Sequence, residues 1–506
     1  MNLLPPEARV EIVARDGAAT AASLARADAT IIVLEREGAD AALRGLPHAP
    51  IWSALRRTSR KSDPHAAVVT RLPNARHTLA VVGFAKAGAT GFERLELARK
   101  LVHEALKPGV TRLQLHVHGF KGDERTHVLE ALLSAALAAA APMPHRKSKP
   151  ALRSDLARID IASKPNVAFT QSAAIAEGNH LARWLAVLPP NELDCVGYRR
   201  TLQQLARREG WGFRFYDEVA LKRLGAGAFL AVSRANPHRG AGIVRLTYRP
   251  KRRARQRIAL VGKGICFDTG GINLKPHRSM YQMHGDMQGS SVAVGTLLSL
   301  SKMSAPYTID CWLALTENQI GPDAYRPQEV VTAMNGVTIQ VVHSDAEGRM
   351  VLADTLALAS REKPEFILDF ATLTGACVGA LTERYSGAFT NRDALHGWLQ
   401  STGRAAGERV WCFPLDEDFD AELESPIADV MQCTLDNKGD HILAARFLSR
   451  FVAPSIPWVH VDLSASEHKG GLAHIPTEFT GFGVRYACHL LGDAGALHER
   501  LTKAAT

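Results

Sequence analysis

Short runs of β-branched and other apolar residues alternate with longer amphipathic stretches along the first third of the chain. Apolar runs bounded by turn residues predict strands, and apolar positions that recur with the helical period predict helices. The pattern therefore predicts a small α/β domain over residues 1–165. Its predicted strands are Arg9–Ala14, Ala29–Glu35, Thr78–Phe84 and Leu113–His118, and its predicted helices are Gly91–Leu106 and Asp123–Ala141.

A segment rich in Pro, Lys and Ser follows and runs from Pro142 to Pro165. This composition predicts an exposed connection and a domain boundary. Asn166–Leu188 then predicts one long amphipathic helix that ends at Pro189-Pro190. We therefore expect residues 166–190 to form a linking helix at the start of a second domain, which spans residues 166–506.

The alternation of strands and helices resumes from about residue 195. Strands separated by helices predict a mixed, largely parallel central sheet flanked by helices, and reactive groups of such sheets sit at the carboxyl ends of strands. The basic run Lys251–Arg257 lies between two predicted strands and is interpreted as a hairpin turn. The predicted strands are Gly242–Tyr248, Ile258–Val261, Thr308–Leu315, Val337–Val342, Phe366–Phe370 and Trp458–Asp462, and the predicted helices are Met287–Leu300, Arg349–Ser360 and His441–Phe451.

Composition places the chain among globular proteins, since 46% of its 506 residues are hydrophobic and 22% are charged. No apolar run reaches the ~18–20 residues of a membrane-spanning helix, and the N-terminus lacks the pattern of a signal peptide. The seven cysteines are scattered and form no CxxC pair, which is typical of free thiols in a reducing compartment. We therefore expect a cytoplasmic protein without a membrane partner.

The formal net charge of +10 is concentrated in residues 1–165, which contain 25 Lys and Arg against 16 Asp and Glu. The remaining residues contain 36 against 35. A basic domain is either a solvated surface or a footprint for a polyanion such as DNA. We favour the solvated surface because no recognition motif accompanies the charge, and a mobility shift with duplex DNA over a salt series tests the alternative.

Acids and lysines concentrate in and near two segments that each follow a predicted strand, residues 261–276 and 343–349. Residues i and i+2 of an extended segment face one side, so Asp345 and Glu347 can share a site, with Arg349 next if the extension persists. Converging carboxylates do not all stay ionised without cations, and two divalent ions about 3.5–4 Å apart resolve this repulsion. Oxygen-rich ligation suits Mn, Zn or Mg. Each acid alone is better explained as a surface residue, but the whole set favours a shared site: Asp268, Asp286, Asp345, Glu347, Lys263 and Lys275.

These segments resemble the signatures of the leucyl aminopeptidase family, which are dinuclear-metal cytosolic exopeptidases. The family segment Asn-Thr-Asp-Ala-Glu-Gly-Arg-Leu is similar to His343–Met350, which reads His-Ser-Asp-Ala-Glu-Gly-Arg-Met. Lys-Gly-Ile-x-Phe-Asp-x-Gly-Gly matches Lys263–Gly271, Ala-Tyr-Arg-Pro matches Ala324–Pro327, and Asp-x-Ala-Thr-Leu-Thr-Gly-Ala-Cys matches Asp369–Cys377. The resemblance covers roughly residues 170–490, and long linked motifs seldom match by chance.

The resemblance implies an aminopeptidase that removes the N-terminal residue of peptides, with a broad and apolar preference, by means of a water activated by two metals. It implies that Lys263, as a neutral amine, and Asp286 bind one metal, that Asp345 binds the other, and that Asp268 and Glu347 bridge both. It further implies a homohexamer with its active sites facing an interior cavity.

The resemblance also implies that Lys275 points at the scissile carbonyl oxygen as the electrophile. Arg349 would hold a bicarbonate ion that acts as general base, helped by the backbone at Leu373. The residues implied to bind substrate are Met283, Thr372, Leu373 and Gly375.

Several positions depart from the family pattern. His343 replaces Asn, Ser344 replaces Thr, Ser464 replaces Ala, and Asp440-His441 interrupts a Gly-Ala-Ile stretch. None of these changes removes a ligand, so we expect them to affect the pocket more than the chemistry.

An alternative hypothesis is that the two metals serve a phosphoesterase. Hydrolysis of aryl phosphates but not of aminoacyl anilides would favour this alternative. The sequence contains no Walker-type phosphate-binding loop beside the motifs.

Overall fold

A computed structural model of the protein describes residues 3–7, 10–59, 66–149, 154–252, 254 and 256–504, which form three sheets packed with helices. The strands are β1 (Glu11–Ala14), β2 (Ala29–Glu35), β3 (Val68–Arg71), β4 (Leu79–Ala85), β5 (Arg112–His118), β6 (Arg158–Ile161), β7 (Gly212–Asp217), β8 (Gly242–Tyr248), β9 (Arg257–Asp268), β10 (Thr308–Asn318), β11 (Val330–Thr332), β12 (Thr338–Gln340), β13 (Phe366–Ala371), β14 (Ser386–Thr390), β15 (Val410–Cys412), β16 (Val430–Met431) and β17 (Trp458–Asp462). The α-helices are α1 (Ala21–Leu24), α2 (Ala39–Gly45), α3 (Ala49–Ser59), α4 (Gly91–Ala105), α5 (Asp123–Ala140), α6 (Val167–Val187), α7 (Cys195–Glu209), α8 (Glu218–Leu224), α9 (Gly227–Ser233), α10 (His277–Met280), α11 (Gln288–Lys302), α12 (Glu347–Ser360), α13 (Gly375–Leu381), α14 (His396–Ala406), α15 (Asp440–Ser449), α16 (Val484–Leu491) and α17 (Ala494–Ala504).

The first sheet has the strand order β1-β6-β5-β2-β4-β3 and is parallel except for β3, which runs antiparallel to β4. Its central strand β2 is buried on both faces, which explains its unbroken apolar sequence. Ile31 and Val33 join the apolar cluster that includes α4 and α5, whereas Ile32 and Leu34 join the cluster on the other face.

Of the connection predicted over Pro142–Pro165, residues 150–153 lie outside the described residues, and Arg158–Ile161 forms β6 between β1 and β5. A four-residue strand is too short to stand out from a polar segment by its pattern. The long helix predicted next is present as α6, and it packs against both α5 and α11. Helix α6 therefore joins the helical layers of the first and second sheets.

The second sheet has the strand order β15-β14-β17-β13-β9-β10-β8-β7. Strands β17, β13, β9 and β10 are parallel, while β14 and β8 run antiparallel to their inner neighbours. Apolar clusters cover both faces of this sheet. The predicted fold class, a mixed and largely parallel sheet flanked by helices and preceded by a smaller α/β unit, is confirmed.

The interpretation of Lys251–Arg257 as a hairpin turn is wrong. Strand β10 lies between β8 and β9, so the chain crosses over a neighbour instead of turning back. Strand order depends on packing between distant segments, and the apolar pattern of two consecutive strands carries no information about it.

Strand β9 is longer than the predicted strand Ile258–Val261, because it continues through Gly262 and Gly264 and ends only at Asp268. The glycines let the strand approach α11, because a Cβ at Gly262 would lie 2.5 Å from the Cα of Ser290. The loop proper starts after Asp268, where Gly270 and Gly271 have φ values of 85° and 63° that favour glycine. The glycines therefore serve packing in the strand and backbone shape in the loop.

All seven cysteines lie in the described part of the chain, and each is a free thiol. Among the described residues, no helix is both long and apolar enough to cross a membrane.

Candidate metal centre and active-site cavity

A cavity of about 600 Å³ opens where β9, β13 and β17 end. The sequence-predicted site residues line this cavity, apart from Arg349. Asp268 and the residues after β13 come together because β9 and β13 are parallel neighbours whose carboxyl ends meet at one edge of the sheet. Asp345 and Glu347 reach the same cavity from the segment between β12, a strand of the third sheet, and α12. The lining residues of this set are Lys263, Asp268, Lys275, Met283, Asp286, Asp345, Glu347, Thr372, Leu373 and Gly375.

Lys263 of β9 lies at the centre of the first half of the site and is buried. Its Nζ donates to the Thr372 carbonyl at 2.8 Å and lies 2.8 Å from Asp286 Oδ1 and 3.0 Å from Glu347 Oε1. The hydroxyl of Thr372 also donates to Asp286 Oδ1 at 2.8 Å. Close packing at Gly348 accommodates the lysine, since a Cβ there would lie 2.6 Å from Nζ.

Asp268 and Asp345 form the second half of the site around Lys275. The lysine Nζ lies 2.9 Å from Asp268 Oδ2 and 2.6 Å from Asp345 Oδ1. Asp268 Oδ1 accepts hydrogen bonds from Gly270 N and Asn318 Nδ2, both at 2.8 Å. These bonds hold one oxygen of Asp268 and leave the other facing Lys275.

The carboxylates of the cluster fit divalent cations. One oxygen each of Asp268, Asp286 and Glu347 lies within 4.8 Å of the others, and all three side chains are buried. Asp286 Oδ2 and Glu347 Oε2 are buried without a hydrogen-bond partner among the described residues. A buried, unpartnered carboxylate oxygen is costly unless a cation satisfies it, so this donor set fits the oxygen ligation of a divalent ion.

The electrostatics of the site point the same way. Burial, with repulsion from Glu347 and Asp268, raises the pKa of Asp286 to about 8. Burial and repulsion from Asp268 raise the pKa of Asp345 to about 6. Burial alone would lower the pKa of Lys263, but Asp286 and Glu347 outweigh it and raise the pKa. Without a metal, Lys263 is therefore an ammonium that partly neutralises these acids.

Arg349 does not line the cavity. The sequence analysis placed it on the same side as Asp345 and Glu347 on the condition that the backbone stays extended. Helix α12 begins at Glu347, so the extension ends before Arg349. The Arg349 Nη2 lies 2.8 Å from both carboxylate oxygens of Asp440, and Nη1 donates to the Gln432 carbonyl at 3.1 Å. Arg349 is fully buried, with only 2% of its side chain exposed.

The backbone that follows β13 is also held by a carboxylate of the chain. Leu373 N donates to Asp462 Oδ1 at 3.1 Å, and the Thr374 hydroxyl donates to Asp462 Oδ2 at 2.6 Å. Asp462 is the last residue of β17, the neighbour of β13. The two groups that the resemblance links with bicarbonate, the Arg349 guanidinium and the Leu373 N–H, thus both contact carboxylates of the chain itself.

Three further residues shape the site and carried no role in the sequence-based prediction. Asn318, which holds Asp268, ends β10, so the strand-end rule could have identified it. Asp440 was visible only as a departure from a family pattern. Glu467 lines the cavity and follows β17, the last strand. The sequence has no helical or strand periodicity there that could have identified it.

Part of the chain is similar in sequence to known proteins. Residues 180–488 match the cytosol aminopeptidase family, catalytic domain. The probable cytosol aminopeptidase of Afipia carboxidovorans is 40% identical over 328 residues, which are 64% of this chain and 65% of the relative. The corresponding protein of Corynebacterium diphtheriae is 38% identical over 327 residues, again 64% of this chain and 65% of the relative. The match thus spans slightly under two thirds of the length of these relatives.

Solved structures are similar over nearly the whole chain. The bottromycin maturation enzyme BotP in complex with Mn has a TM-score of 0.79 and 29% identity, covering 95% of this chain and 100% of that one. A variant of tomato leucine aminopeptidase has a TM-score of 0.82 and 24% identity, covering 96% and 98%. The tomato protein supports the fold alone at this identity, and both likenesses include the N-terminal sheet.

Proposed function

Because this chain belongs to the cytosol aminopeptidase family, we propose that it is a metal-dependent aminopeptidase that releases the N-terminal residue of peptides. One observation carries the proposal: within the described part of the chain, buried carboxylate oxygens of Asp286 and Glu347 lack hydrogen-bond partners at the wall of a cavity large enough for a residue and its peptide bond. Such orphaned anions are expected where a cation belongs. The Mn complex of BotP, a protein of similar structure, supports the same reading.

Two divalent ions, Mn or Zn and less readily Mg, would be held by Lys263, Asp268, Asp286, Asp345 and Glu347. Bound there, they would supply Lewis-acid polarisation of the substrate and lower the pKa of a water molecule. Lys263 would join this set as the neutral amine, because two dications would oppose the effect of the carboxylates on its pKa.

The remaining residues bind and orient the peptide. In the metal-free fold, Asp268 and Asp345 raise the pKa of Lys275 despite burial. Lys275 is not proposed as a ligand, and as an ammonium it would stabilise the negative charge that develops on the scissile carbonyl oxygen. Preorganised donors of this kind typically contribute about 10²–10³ in kcat. Met283, Thr372 and Gly375 line the cavity and would contact the N-terminal side chain, for which we expect broad tolerance of apolar groups.

A second part of the proposal is that Arg349 binds a bicarbonate ion that acts as the general base. Arg349 has the planar fork that suits a bidentate oxyanion, yet Asp440 already fills two of its N–H donors. Bicarbonate binding therefore requires Asp440 to release the guanidinium. Assays in bicarbonate-depleted and supplemented buffer test this exchange directly, since a base supplied from solution makes the rate depend on its concentration.

The proposed activity is tested by metal analysis combined with a panel of aminoacyl anilides and an aryl phosphate. We expect two metal ions per chain and hydrolysis of anilides that is lost on chelation and restored by Mn or Zn. Glu347→Gln, which keeps the shape of a bridging ligand, should lose both metal and activity. Hydrolysis of the aryl phosphate alone, or full turnover in the metal-free protein, would contradict the proposal.

Assembly and compartment belong to the same proposal. We expect a cytoplasmic homohexamer, as the family resemblance implies, and light scattering of the purified protein measures its mass. A monomer with full peptidase activity would refute the oligomeric part without affecting the chemistry.

A further inference from the structure

Glu467 is a carboxylate in the cavity wall that the proposed chemistry does not use. Its backbone forms a β-bridge with Phe479, and Gln288 Nε2 donates to its Oε1 at 3.0 Å. A Cβ on Gly285, the residue before Asp286, would lie 3.2 Å from the same oxygen. Glu467 therefore stands beside the candidate metal ligands, held in a defined position from several directions.

No lysine or arginine neutralises Glu467 in the described part of the chain. Lys263, which is buried, and Lys275, which is half-buried, are engaged by the carboxylates of the metal-ligand cluster. Two more carboxylates, Glu383 and Glu478, line the cavity and also lack an ion pair among the described residues, against the single exposed ammonium of Lys469. This part of the wall consequently keeps excess negative charge even when the cluster holds two dications.

Burial, together with repulsion from Glu478 and Asp286, raises the pKa of Glu467 to about 7. Gln288 opposes this rise by donating to the carboxylate. A cation next to Glu467 relieves the repulsion, so the site favours a positively charged occupant. Met283, Val378 and Leu463 line the same cavity and offer apolar contact to the stem of a long side chain.

Lysine and arginine side chains combine an apolar stem with a positively charged end. This wall offers apolar contacts to the stem and negative charge to the end. We propose that Glu467 is a specificity-determining residue that binds the cationic end of an N-terminal lysine or arginine side chain of the substrate. This inference rests on the proposed aminopeptidase function and deepens it, because it names the class of N-terminal residue that the cavity selects. Apolar residues still enter, since the stem contacts are available to them.

The test compares kcat/KM for lysyl, arginyl and leucyl p-nitroanilides with the Mn-loaded protein and with Glu467→Gln. The amide keeps the acceptor for Gln288 and removes only the charge. We expect the native protein to favour lysyl and arginyl over leucyl substrates, and Glu467→Gln to reduce that ratio roughly tenfold or more while leucyl turnover persists. Glu499→Gln, on the exposed face of α17, is the matched control and should leave the ratio unchanged.

Each other outcome is decisive. An unchanged lysyl-to-leucyl ratio in Glu467→Gln overturns the inference and leaves the aminopeptidase function standing. Loss of bound metal together with all activity in this variant also overturns it, because Glu467 would then be a metal ligand. If the Mn-loaded native protein hydrolyses no anilide, the proposed function falls and the inference falls with it.

Discussion

Removing the carboxylate of Asp440 tests how strongly the fold depends on the buried Arg349 pair. Asp440→Ala leaves a fully buried guanidinium whose Nη2 loses both 2.8 Å contacts, while Nε already has no hydrogen-bond partner among the described residues. Charge-assisted hydrogen bonds contribute about 1.5–3 kcal/mol each, and breaking one side of a buried pair typically costs about 3–5 kcal/mol. We expect Asp440→Ala to lower the free energy of unfolding by about 3–5 kcal/mol.

Urea unfolding followed by tryptophan fluorescence measures the loss against a control pair from the segment just before α15. The Asp436–Lys438 pair is also close, at 3.0 Å, but 53% and 87% of its side chains are exposed. Asp436→Ala should therefore leave the unfolding midpoint nearly unchanged. The double variant Arg349→Met with Asp440→Leu should recover part of the loss, because apolar groups can replace a buried pair. Equal midpoint shifts for Asp440→Ala and Asp436→Ala would refute the reasoning.

The same variant decides which anion Arg349 binds. Asp440→Ala opens the guanidinium fork, so added bicarbonate should stabilise this variant in proportion to its occupancy. It should stabilise the native protein less, because Asp440 competes for the same N–H donors. Formate, a smaller carboxylate, should act in the same way. Bicarbonate that stimulates the native enzyme but not the variant would show that Asp440 does not exclude the ion.

Three further predictions concern the metal centre. Glu347→Ala should lower the metal content and abolish turnover, and retention of two metals with full activity would contradict the bridging role. Lys275→Ala should reduce kcat by about 10²–10³ with little change in KM, and steady-state kinetics in which only KM changes would exclude the electrophile role. The pKa values of Asp345 and Asp286 are raised to about 6 and about 8, so the metal-free fold favours the protonated carboxyl groups. The stability that protonation gives to the metal-free fold is therefore lost as the pH rises through these values. Metal binding needs the deprotonated forms, so the increase in Tm caused by Mn should grow between about pH 5 and pH 9, and an increase independent of pH would contradict this assignment.

The strongest sequence-based predictions were those that depend on local pattern. Strand β2 and helices α5 and α6 agree with their predicted bounds to within a residue or two, because an apolar run or a helical period is carried by neighbouring residues. The prediction that the acids meet came from a general rule, that parallel strands present their carboxyl ends at a common edge. The rule holds for Asp268 of β9, whereas Asp345 and Glu347 follow β12 of a separate sheet. These two regularities were enough for the fold class and for the candidate ligands.

The errors and omissions share a different physical cause. The order β8-β10-β9, the reach of β9 through its glycines and the position of β6 all depend on which distant segments pack together. The partner of Arg349 lies 91 residues further along the chain, and Gln288 and Glu467 are separated by 179. No periodicity links such positions, since burial and charge pairing arise only in the folded chain.

By itself, then, the sequence determined an α/β protein with a set of acids and lysines at the ends of its strands, because these properties are local or follow from strand polarity. Tertiary structure decided that the Arg349 fork contacts Asp440. It also decided that, among the residues that the structure describes, no lysine or arginine pairs with Glu467 in the cavity wall and two buried carboxylate oxygens lack hydrogen-bond partners. Each of these depends on distances between groups remote in sequence, and at distances of a few ångströms in a buried site electrostatic energies decide what the side chains bind.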